Sequence, residues 1–242
     1  MNAVEIRGLT KQYGAITAVN ALDLSIRQGE LFSLLGVNGA GKTTTIKMLS
    51  GLVRPTAGDA LLLGKSVVSE PGQVKERIGV SPQETAVAPN LTVRENLEMM
   101  CGVYGLQKAD AAARIGELTE TFHLEEVLSR RAGKLSGGWQ RRLSIAMALV
   151  GNPAVLFLDE PTLGLDVLAR SDLWDTIKTL KGKATIVLTT HYMEEAEALS
   201  DRVGIMGSGK LLALGTVEAL KAETGAARLE DAFVRIVKEA SK

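Results

Sequence analysis

The feature that most constrains this chain is a glycine-rich octapeptide between two regular segments. Residues 36–43 read GVNGAGKT and fit the spacing G-x-x-x-x-G-K-[ST]. The apolar residues 31–35 before it predict a buried strand, and residues 42–49 after it have a helical pattern. Glycines let the backbone curl so that successive N–H groups point inward, and a helix start adds unpaired N–H groups and a partial positive charge. The segment therefore predicts an anion-binding loop at the end of a strand.

This pattern is that of a P-loop, which binds the phosphates of a nucleotide. We expect Lys42 to reach the β- and γ-phosphates, Thr43 to offer its hydroxyl to Mg²⁺, and Thr44 to assist at the α-phosphate. The residues predicted to contact ATP in this loop are Gly36, Asn38, Gly39, Ala40, Gly41, Lys42, Thr43 and Thr44. ATP and Mg²⁺ are therefore the expected cofactors.

A second candidate site lies at the end of another apolar segment. Residues 155–158 are apolar and lead directly into Asp159 and Glu160. Ligands of parallel sheets sit beyond the carboxyl ends of the strands, so both acids are expected near the phosphates. We predict that Asp159 holds Mg²⁺ and that Glu160 is the general base that polarises the attacking water. Alone, such a pair is commonly just solvated; beside a P-loop the catalytic interpretation is favoured.

The order of segments predicts an α/β fold. Apolar runs with β-branched residues alternate with helical patterns, which favours a P-loop NTPase core with a mainly parallel sheet. The first strands follow one another without helices and predict a small antiparallel section, and Thr92 and Glu95 form a capping-box pattern that opens a helical stretch. We expect one domain, with an α/β core over residues 1–91 and 151–225, an inserted helical lobe over 92–150 and a short C-terminal helix within 226–242.

Composition narrows the functional class. Lys and Arg number 28, as do Asp and Glu, so no basic field favours nucleic acid as a partner. The single cysteine and two histidines cannot form an internal disulfide or a multi-histidine metal site, and they fit a reducing cytoplasmic compartment. No run of about 18 apolar residues is present. We therefore expect no direct membrane insertion, and any membrane location must come through a partner.

Residues 135–140, LSGGWQ, resemble the signature of ABC transporter ATPase subunits. In that family, the signature lies at a helix N-terminus and binds the γ-phosphate of the ATP held by the other subunit. The resemblance therefore implies that Ser136, Gly137 and Gly138 contact ATP across a head-to-tail dimer, with Ser136 and Gly138 at its interface. The sequence departs from the family at Trp139, where many members have glutamine.

Other positions match the family by their order along the chain, which the resemblance covers from Tyr13 to the final helix. Tyr13 matches the aromatic residue that stacks on adenine, and Gln83 matches a glutamine that senses Mg²⁺ and water near the membrane partner. Asp166 matches the loop that crosses the dimer interface, and His191 matches the histidine that contacts the γ-phosphate. The resemblance thus implies catalytic roles for Lys42, Gln83 and His191 as well as Glu160.

Further segments resemble the ATPase subunits of bacterial drug, antibiotic or lipid exporters, notably residues 91–97, 104–106, 139–143, 191–197 and 229–233. This likeness implies a homodimer, or a heterodimer with a related subunit, bound to a membrane-spanning subunit on the cytoplasmic face of the membrane. An importer ATPase and a soluble ABC ATPase of translation or repair remain open alternatives. A plain P-loop kinase or GTPase is disfavoured by the signature segment.

Overall fold

The computed structural model describes residues 1–240 of the chain. Its strands are β1 Asn2–Tyr13, β2 Ile16–Arg27, β3 Leu31–Gly36, β4 Ala57–Leu62, β5 Lys65–Ser66, β6 Ile78–Ser81, β7 Val155–Asp159, β8 Thr185–Thr190, β9 Arg202–Gly207 and β10 Lys210–Gly215. Its helices are α1 Lys42–Leu49, α2 Pro71–Lys75, α3 Val93–Val103, α4 Lys108–Thr121, α5 Gly137–Leu149, α6 Val167–Thr179, α7 Met193–Leu199, α8 Val217–Thr224 and α9 Leu229–Ala240.

The central sheet has six strands in the order β10-β9-β3-β8-β7-β6. All of its pairs are parallel except β10 with β9. Every residue of β3, β7 and β8 is buried, which explains their continuous apolar character. Because β8 lies between β3 and β7, the carboxyl ends of these three strands meet at one edge of the sheet.

A second sheet of four antiparallel strands in the order β2-β1-β4-β5 covers part of the core. Strands β1 and β2 form a long hairpin whose turn contains Gly14 with a φ of 57°. The sequence predicted only residues 4–6 of β1 and 22–26 of β2, because the remaining parts of both strands are largely polar or exposed. The antiparallel section itself was expected, and together with the parallel sheet and the helical lobe it confirms the predicted fold class.

Three strands, β5, β6 and β10, and two helices, α2 and α8, were absent from the prediction. Strands β5 and β6 have two and four residues, β10 is a partly exposed edge strand, and α8 has eight residues. Strand β6 also contains Gly79, where an added Cβ would lie 2.2 Å from the carbonyl oxygen of Ala148 in α5. Close packing against a helix therefore requires glycine in this strand, and glycine weakens the apolar pattern by which strands are predicted.

Helices α3, α4 and α5 form the helical lobe. Glu95 accepts a hydrogen bond from the Thr92 backbone N–H at 2.7 Å, and the Thr92 hydroxyl accepts one from the Glu95 N–H at 3.2 Å, which confirms the capping box. Leu97, Phe122 and Leu143 are fully buried between these helices.

The last described helix, α9, packs its apolar face on the domain, with Leu229 and Phe233 buried and Ile236 and Val237 half-buried beside them. Residues 241 and 242 of the predicted C-terminal segment lie outside the described residues.

Candidate functional site

The glycine-rich loop connects β3 to α1 at the edge of the sheet where β7 and β8 also end. Gly41 precedes the helix with a φ of 103°, and a Cβ at this position would lie 2.5 Å from the carbonyl oxygen of Ala18. Only glycine tolerates both the left-handed backbone and this close approach. The local geometry thus accounts for the last glycine of the motif and turns the loop's N–H groups and the start of α1 towards the same cleft.

Lys42 is 5% exposed, and its ammonium group lies inside the loop. It donates hydrogen bonds to the carbonyl oxygens of Gly36 at 2.8 Å and Val37 at 3.3 Å. It also forms an ion pair with Glu160, in which Nζ lies 3.2 Å from Oε1. A buried cation needs such partners, because burial without them would be very unfavourable. The carboxylate at the end of β7 therefore faces the lysine of the loop.

Thr43 links the loop to the first acid of β7. Its hydroxyl donates to Asp159 Oδ1 at 3.0 Å, so its oxygen keeps its lone pairs available. Hydroxyl, carboxylate and amide oxygens are suitable ligands for Mg²⁺, and Gln83 adds an amide that lines the same cleft. Within residues 1–240, no group of three or more His, Cys, Asp and Glu could hold a metal. The donor set thus fits an ion that is bound largely by substrate phosphates and water.

Glu160 connects three parts of the site. While Oε1 faces Lys42, Oε2 lies 2.7 Å from Nδ1 of His191, which follows β8. Glu160 is 5% exposed, and its backbone has a φ of 49°, which is unusual for a residue with a side chain. Such left-handed residues persist where the surroundings hold them, commonly at active sites. The arrangement orients a carboxylate towards both the lysine and the histidine.

These groups line one cleft of about 490 Å³. Its lining includes the following predicted residues: Tyr13, Asn38, Gly39, Ala40, Gly41, Lys42, Thr43, Thr44, Gln83, Glu160 and His191. Gly36 and Asp159 lie behind this lining, where they contact Lys42 and Thr43. Ala18 and Leu163 line the cleft as well and were not predicted.

Tyr13 lies at the end of β1 and at the mouth of the cleft. Its side chain is 47% exposed, and the Nζ of Lys11 lies 5.0 Å from the centre of its ring. An exposed ring at the edge of an anion-binding cleft is suited to stack on a flat base.

Among the described residues 1–240, those that line this cleft do not include the signature residues Ser136, Gly137 and Gly138. Ser136 and Gly137 are exposed at the start of α5, where the Ser136 side chain makes no capping hydrogen bond. A Cβ on Gly138 would lie 3.4 Å from the Cβ of Ala169 in α6, so the signature lies against the segment that contains Asp166. Asp166 itself is exposed and caps α6 by accepting a hydrogen bond from the Ala169 N–H at 2.9 Å.

Arg141 is one of the buried polar residues that the sequence analysis did not identify. Although it belongs to α5, its guanidinium donates to the carbonyl oxygens of Pro82 at 2.6 Å and Gln83 at 2.5 Å. Burial lowers the pKa of Arg141, and the charges of Asp159 and Glu195 oppose this shift. These two hydrogen bonds join the signature helix to the Gln83 segment.

Glu195 and Thr189 were missed as well. Glu195 is fully buried in α7 and accepts hydrogen bonds from the Thr162 hydroxyl at 2.8 Å and from the Trp174 indole at 3.0 Å. Burial raises the pKa of its carboxyl group. Thr189 is fully buried in β8, and its hydroxyl contacts both Asp159 and Glu160. Nothing in the sequence around these residues distinguishes them from a solvated acid run or an ordinary strand threonine.

Comparison with known proteins gives a consistent family assignment. The model of the ABC transporter family matches residues 19–163. Daunorubicin resistance ATP-binding protein DrrA3 from Streptomyces coeruleorubidus is 42% identical over 94% of this chain and 72% of its own length. Nod factor export ATP-binding protein I from Burkholderia orbicola (strain AU 1054) is 45% identical over 90% of this chain and 72% of its own length.

Solved structures agree with the sequence relatives. The structure of an ATP-binding subunit of an ABC transporter matches with a TM-score of 0.86 and 31% identity, over 97% of this chain and 99% of that one. A dimeric post-hydrolysis structure of the ATP-binding cassette MJ0796, bound to ADP and Pi, matches with a TM-score of 0.79 and 26% identity, over 88% and 98%. CbiO1 from Clostridium perfringens, part of the ABC transporter complex cbiONQ, matches with a TM-score of 0.84 and 25% identity, over 92% and 91%.

Proposed function

Because this chain belongs to the ABC transporter family and is an ATP-hydrolysing, ATP-binding subunit of it, we propose that it is the motor of an exporter. In this proposal, ATP binding closes a head-to-tail dimer, and closure drives a separate membrane-spanning subunit. The observation that carries the proposal is the convergence of Lys42, Thr43, Glu160 and His191 on one cleft. The signature Ser136–Gly138 lies outside that cleft and needs a second copy to reach a nucleotide.

In the proposed hydrolysis reaction, Lys42 leaves Glu160 and neutralises the β- and γ-phosphates. Glu160 then accepts a hydrogen bond from the attacking water, while His191 restrains the other carboxylate oxygen at the 2.7 Å contact described above. Thr43, Asp159 and Gln83 would hold Mg²⁺, which would supply positive charge to stabilise the phosphates during the reaction. Catalysis of this kind depends on positioning and electrostatic stabilisation more than on covalent chemistry.

Dimer closure is supported by what the isolated chain leaves exposed. Ser136 and Gly137 are exposed at the start of α5, and Asp166 is exposed at the start of α6, which packs against Gly138. Leu163, Val167 and Leu168 are apolar and exposed around Asp166, at 37%, 76% and 78%. Burial of such side chains against the loop of a second copy favours association. ATP placed between the two copies adds contacts that the nucleotide-free pair lacks.

The connection to the membrane subunit is proposed to run through the helical lobe. Arg141 ties α5 to the Gln83 segment by two charge-assisted hydrogen bonds, so a rotation of the lobe moves that segment. Met99, Val103 and Tyr104 form an exposed apolar surface at the end of α3, with 41%, 72% and 36% exposure. We propose this surface as the contact for the membrane subunit.

No helix within residues 1–240 combines the length and the apolar character needed to cross a membrane. We propose that the chain lies at the cytoplasmic face of the membrane and is held there by the partner subunit, which is supported by its likeness to cbiO1, a part of an ABC transporter complex. The names of the drug-resistance and Nod-factor-export relatives support export of a drug, antibiotic or lipid-like compound.

Two measurements test the proposal. Glu160→Gln with MgATP should elute as a dimer on gel filtration and hydrolyse ATP at a small fraction of the wild-type rate, whereas a monomer or undiminished hydrolysis would refute the dimer mechanism. Affinity capture from solubilised membranes should recover one protein with several apolar spans, and its loss on Tyr104→Asp would locate the contact. Recovery of nucleic acid or ribosomes instead would favour the soluble class of ABC ATPases.

A further inference from the structure

Thr189 occupies a special position in the sheet because β8 lies between the two strands that carry the site. In the parallel register, Thr189 pairs with Leu34 of β3 on one side and with Asp159 of β7 on the other. It is fully buried, as are the three apolar residues 186–188 that precede it. A valine would fill the same space and suit the strand equally well. The hydroxyl is therefore the feature of this residue that packing does not explain.

The Thr189 hydroxyl makes two hydrogen bonds of opposite direction. Its oxygen accepts a bond from the backbone N–H of Glu160 at 3.0 Å, and its single proton is donated to Asp159 Oδ1. Because a hydroxyl has only one proton, donation to the carboxylate leaves only lone pairs for the N–H. One buried side chain thus contacts both acidic residues at the end of β7.

On the Asp159 side, the hydroxyl sets the orientation of a carboxylate. Asp159 Oδ1 accepts from Thr189 on the strand side and from Thr43 on the loop side, at 3.0 Å for the latter. Two donors on the same oxygen restrict rotation about the bond that carries the carboxylate. A group held in this way presents its remaining lone pairs in a fixed direction, as residues behind a metal ligand commonly ensure.

On the Glu160 side, the hydroxyl supports an unusual backbone. The N–H of Glu160 donates to both the hydroxyl oxygen and the carbonyl oxygen of Thr189, the latter at 3.1 Å, and the φ about the following N–Cα bond is 49°. The same conformation carries the carboxylate to its contacts with Lys42 and His191. Loss of the hydroxyl removes one of the two acceptors that hold this N–H.

We propose that Thr189 is a positioning residue for ATP hydrolysis, which acts by fixing the Asp159 carboxylate and the Glu160 backbone with one hydroxyl group. The inference rests on the proposed roles of Asp159 and Glu160. Thr189 does not touch the nucleotide cleft, so it acts through these two residues rather than on the substrate.

The test compares Thr189→Val, which removes the hydroxyl at nearly constant volume, with Thr189→Ser, which retains it. Thr176→Val is the matched control, because Thr176 is buried in α6 and donates only to the Asp172 carbonyl oxygen at 3.0 Å. For each full-length variant, kcat and KM for ATP are measured with Mg²⁺. Mn²⁺ affinity is measured by electron paramagnetic resonance with a non-hydrolysable ATP analogue, well below the melting temperature.

We expect Thr189→Val to lower kcat and to weaken Mn²⁺ binding, each by roughly tenfold to a hundredfold, with little change in KM. Thr189→Ser should recover most of both quantities, and Thr176→Val should resemble the wild type. Wild-type kcat and Mn²⁺ affinity in Thr189→Val would overturn the proposal, as would a serine variant that folds but is as impaired as the valine variant. If Glu160→Gln abolishes hydrolysis while Thr189→Val does not, only the role of Thr189 fails. If Glu160→Gln hydrolyses ATP normally, the proposed mechanism itself fails.

Discussion

The ion pair between Lys42 and Glu160 makes Glu160→Gln informative beyond loss of hydrolysis. Both side chains are about 5% exposed, and their charged atoms lie 3.2 Å apart. The amide keeps the size of the carboxylate but removes its charge, while the carbonyl oxygens of Gly36 and Val37 still accept from Lys42. A hydrogen bond to a charged group contributes about 1.5–3 kcal/mol, so the free energy of unfolding of the nucleotide-free variant should be lower than that of the wild type by this amount.

The same substitution should strengthen ATP binding. In the wild type, the phosphates must displace Glu160 from Lys42 and then tolerate its negative charge nearby, and both costs are absent in the variant. The loss of about 1.5–3 kcal/mol in the free protein corresponds to an affinity that is roughly tenfold to a hundredfold higher.

Titration with a fluorescent ATP analogue, together with thermal melts with and without nucleotide, measures both effects. Glu218→Gln is the matched control, since Glu218 is exposed in the first turn of α8, away from the cleft. A Glu160→Gln variant with wild-type nucleotide-free stability and unchanged ATP affinity would refute the reasoning that the carboxylate and the phosphates compete for Lys42.

Three further substitutions test other parts of the site. Lys42→Ala should weaken ATP binding by at least about tenfold, because a charge-assisted contact is lost. Lys47→Ala, on the exposed face of the same helix, should bind ATP as the wild type does. If calorimetry gives the two variants the same affinity for ATP, the role of Lys42 is contradicted. Arg141→Lys should speed amide hydrogen exchange in the segment around Pro82 and Gln83, because a lysine cannot donate to both carbonyl oxygens in the fork geometry of arginine. Arg142→Lys is the control, and equal exchange rates of this segment in the two variants, measured by mass spectrometry, would count against the link. Burial raises the pKa of Glu195 above its ordinary value of 4.5, so ionisation of this carboxyl group opposes folding increasingly as pH rises above 4.5. The melting temperature of Glu195→Gln should therefore increase relative to that of the wild type as pH rises. A difference between the two melting temperatures that shrinks from pH 5 to 8 would show the opposite sign.

The parts of the molecule that could be predicted from sequence are those encoded in contiguous residues. The loop from Gly36 to Thr43, the strand that ends in Asp159 and Glu160, and the capping box at Thr92 each carry their signal within a few neighbouring positions. Local chemistry dictates these elements, because a glycine turn, a buried strand and a helix start depend on adjacent backbone groups. The order of the elements then predicted the fold class.

The missed parts depend on contacts between residues far apart in the chain. Thr189 is significant only because β8 lies between β3 and β7, and no pattern within residues 185–190 determines that strand order. Glu195 lies in the run MEEAE, which is typical of a solvated helix face, yet tertiary packing buries it against Thr162 and Trp174. Periodicity specifies which face of an element is apolar, and it does not specify which buried polar atoms meet.

Arg141 recognises the Gln83 segment through its main chain, since both acceptors are carbonyl oxygens of the peptide backbone. Every amino acid has a backbone carbonyl group, so these two hydrogen bonds do not require particular side chains at positions 82 and 83. The two hydrogen bonds to the signature helix therefore make no use of the Gln83 amide, which remains available to the cleft that it lines. In the proposed mechanism, this link would carry a movement of the signature helix to the Gln83 segment without engaging the side chain that faces the nucleotide.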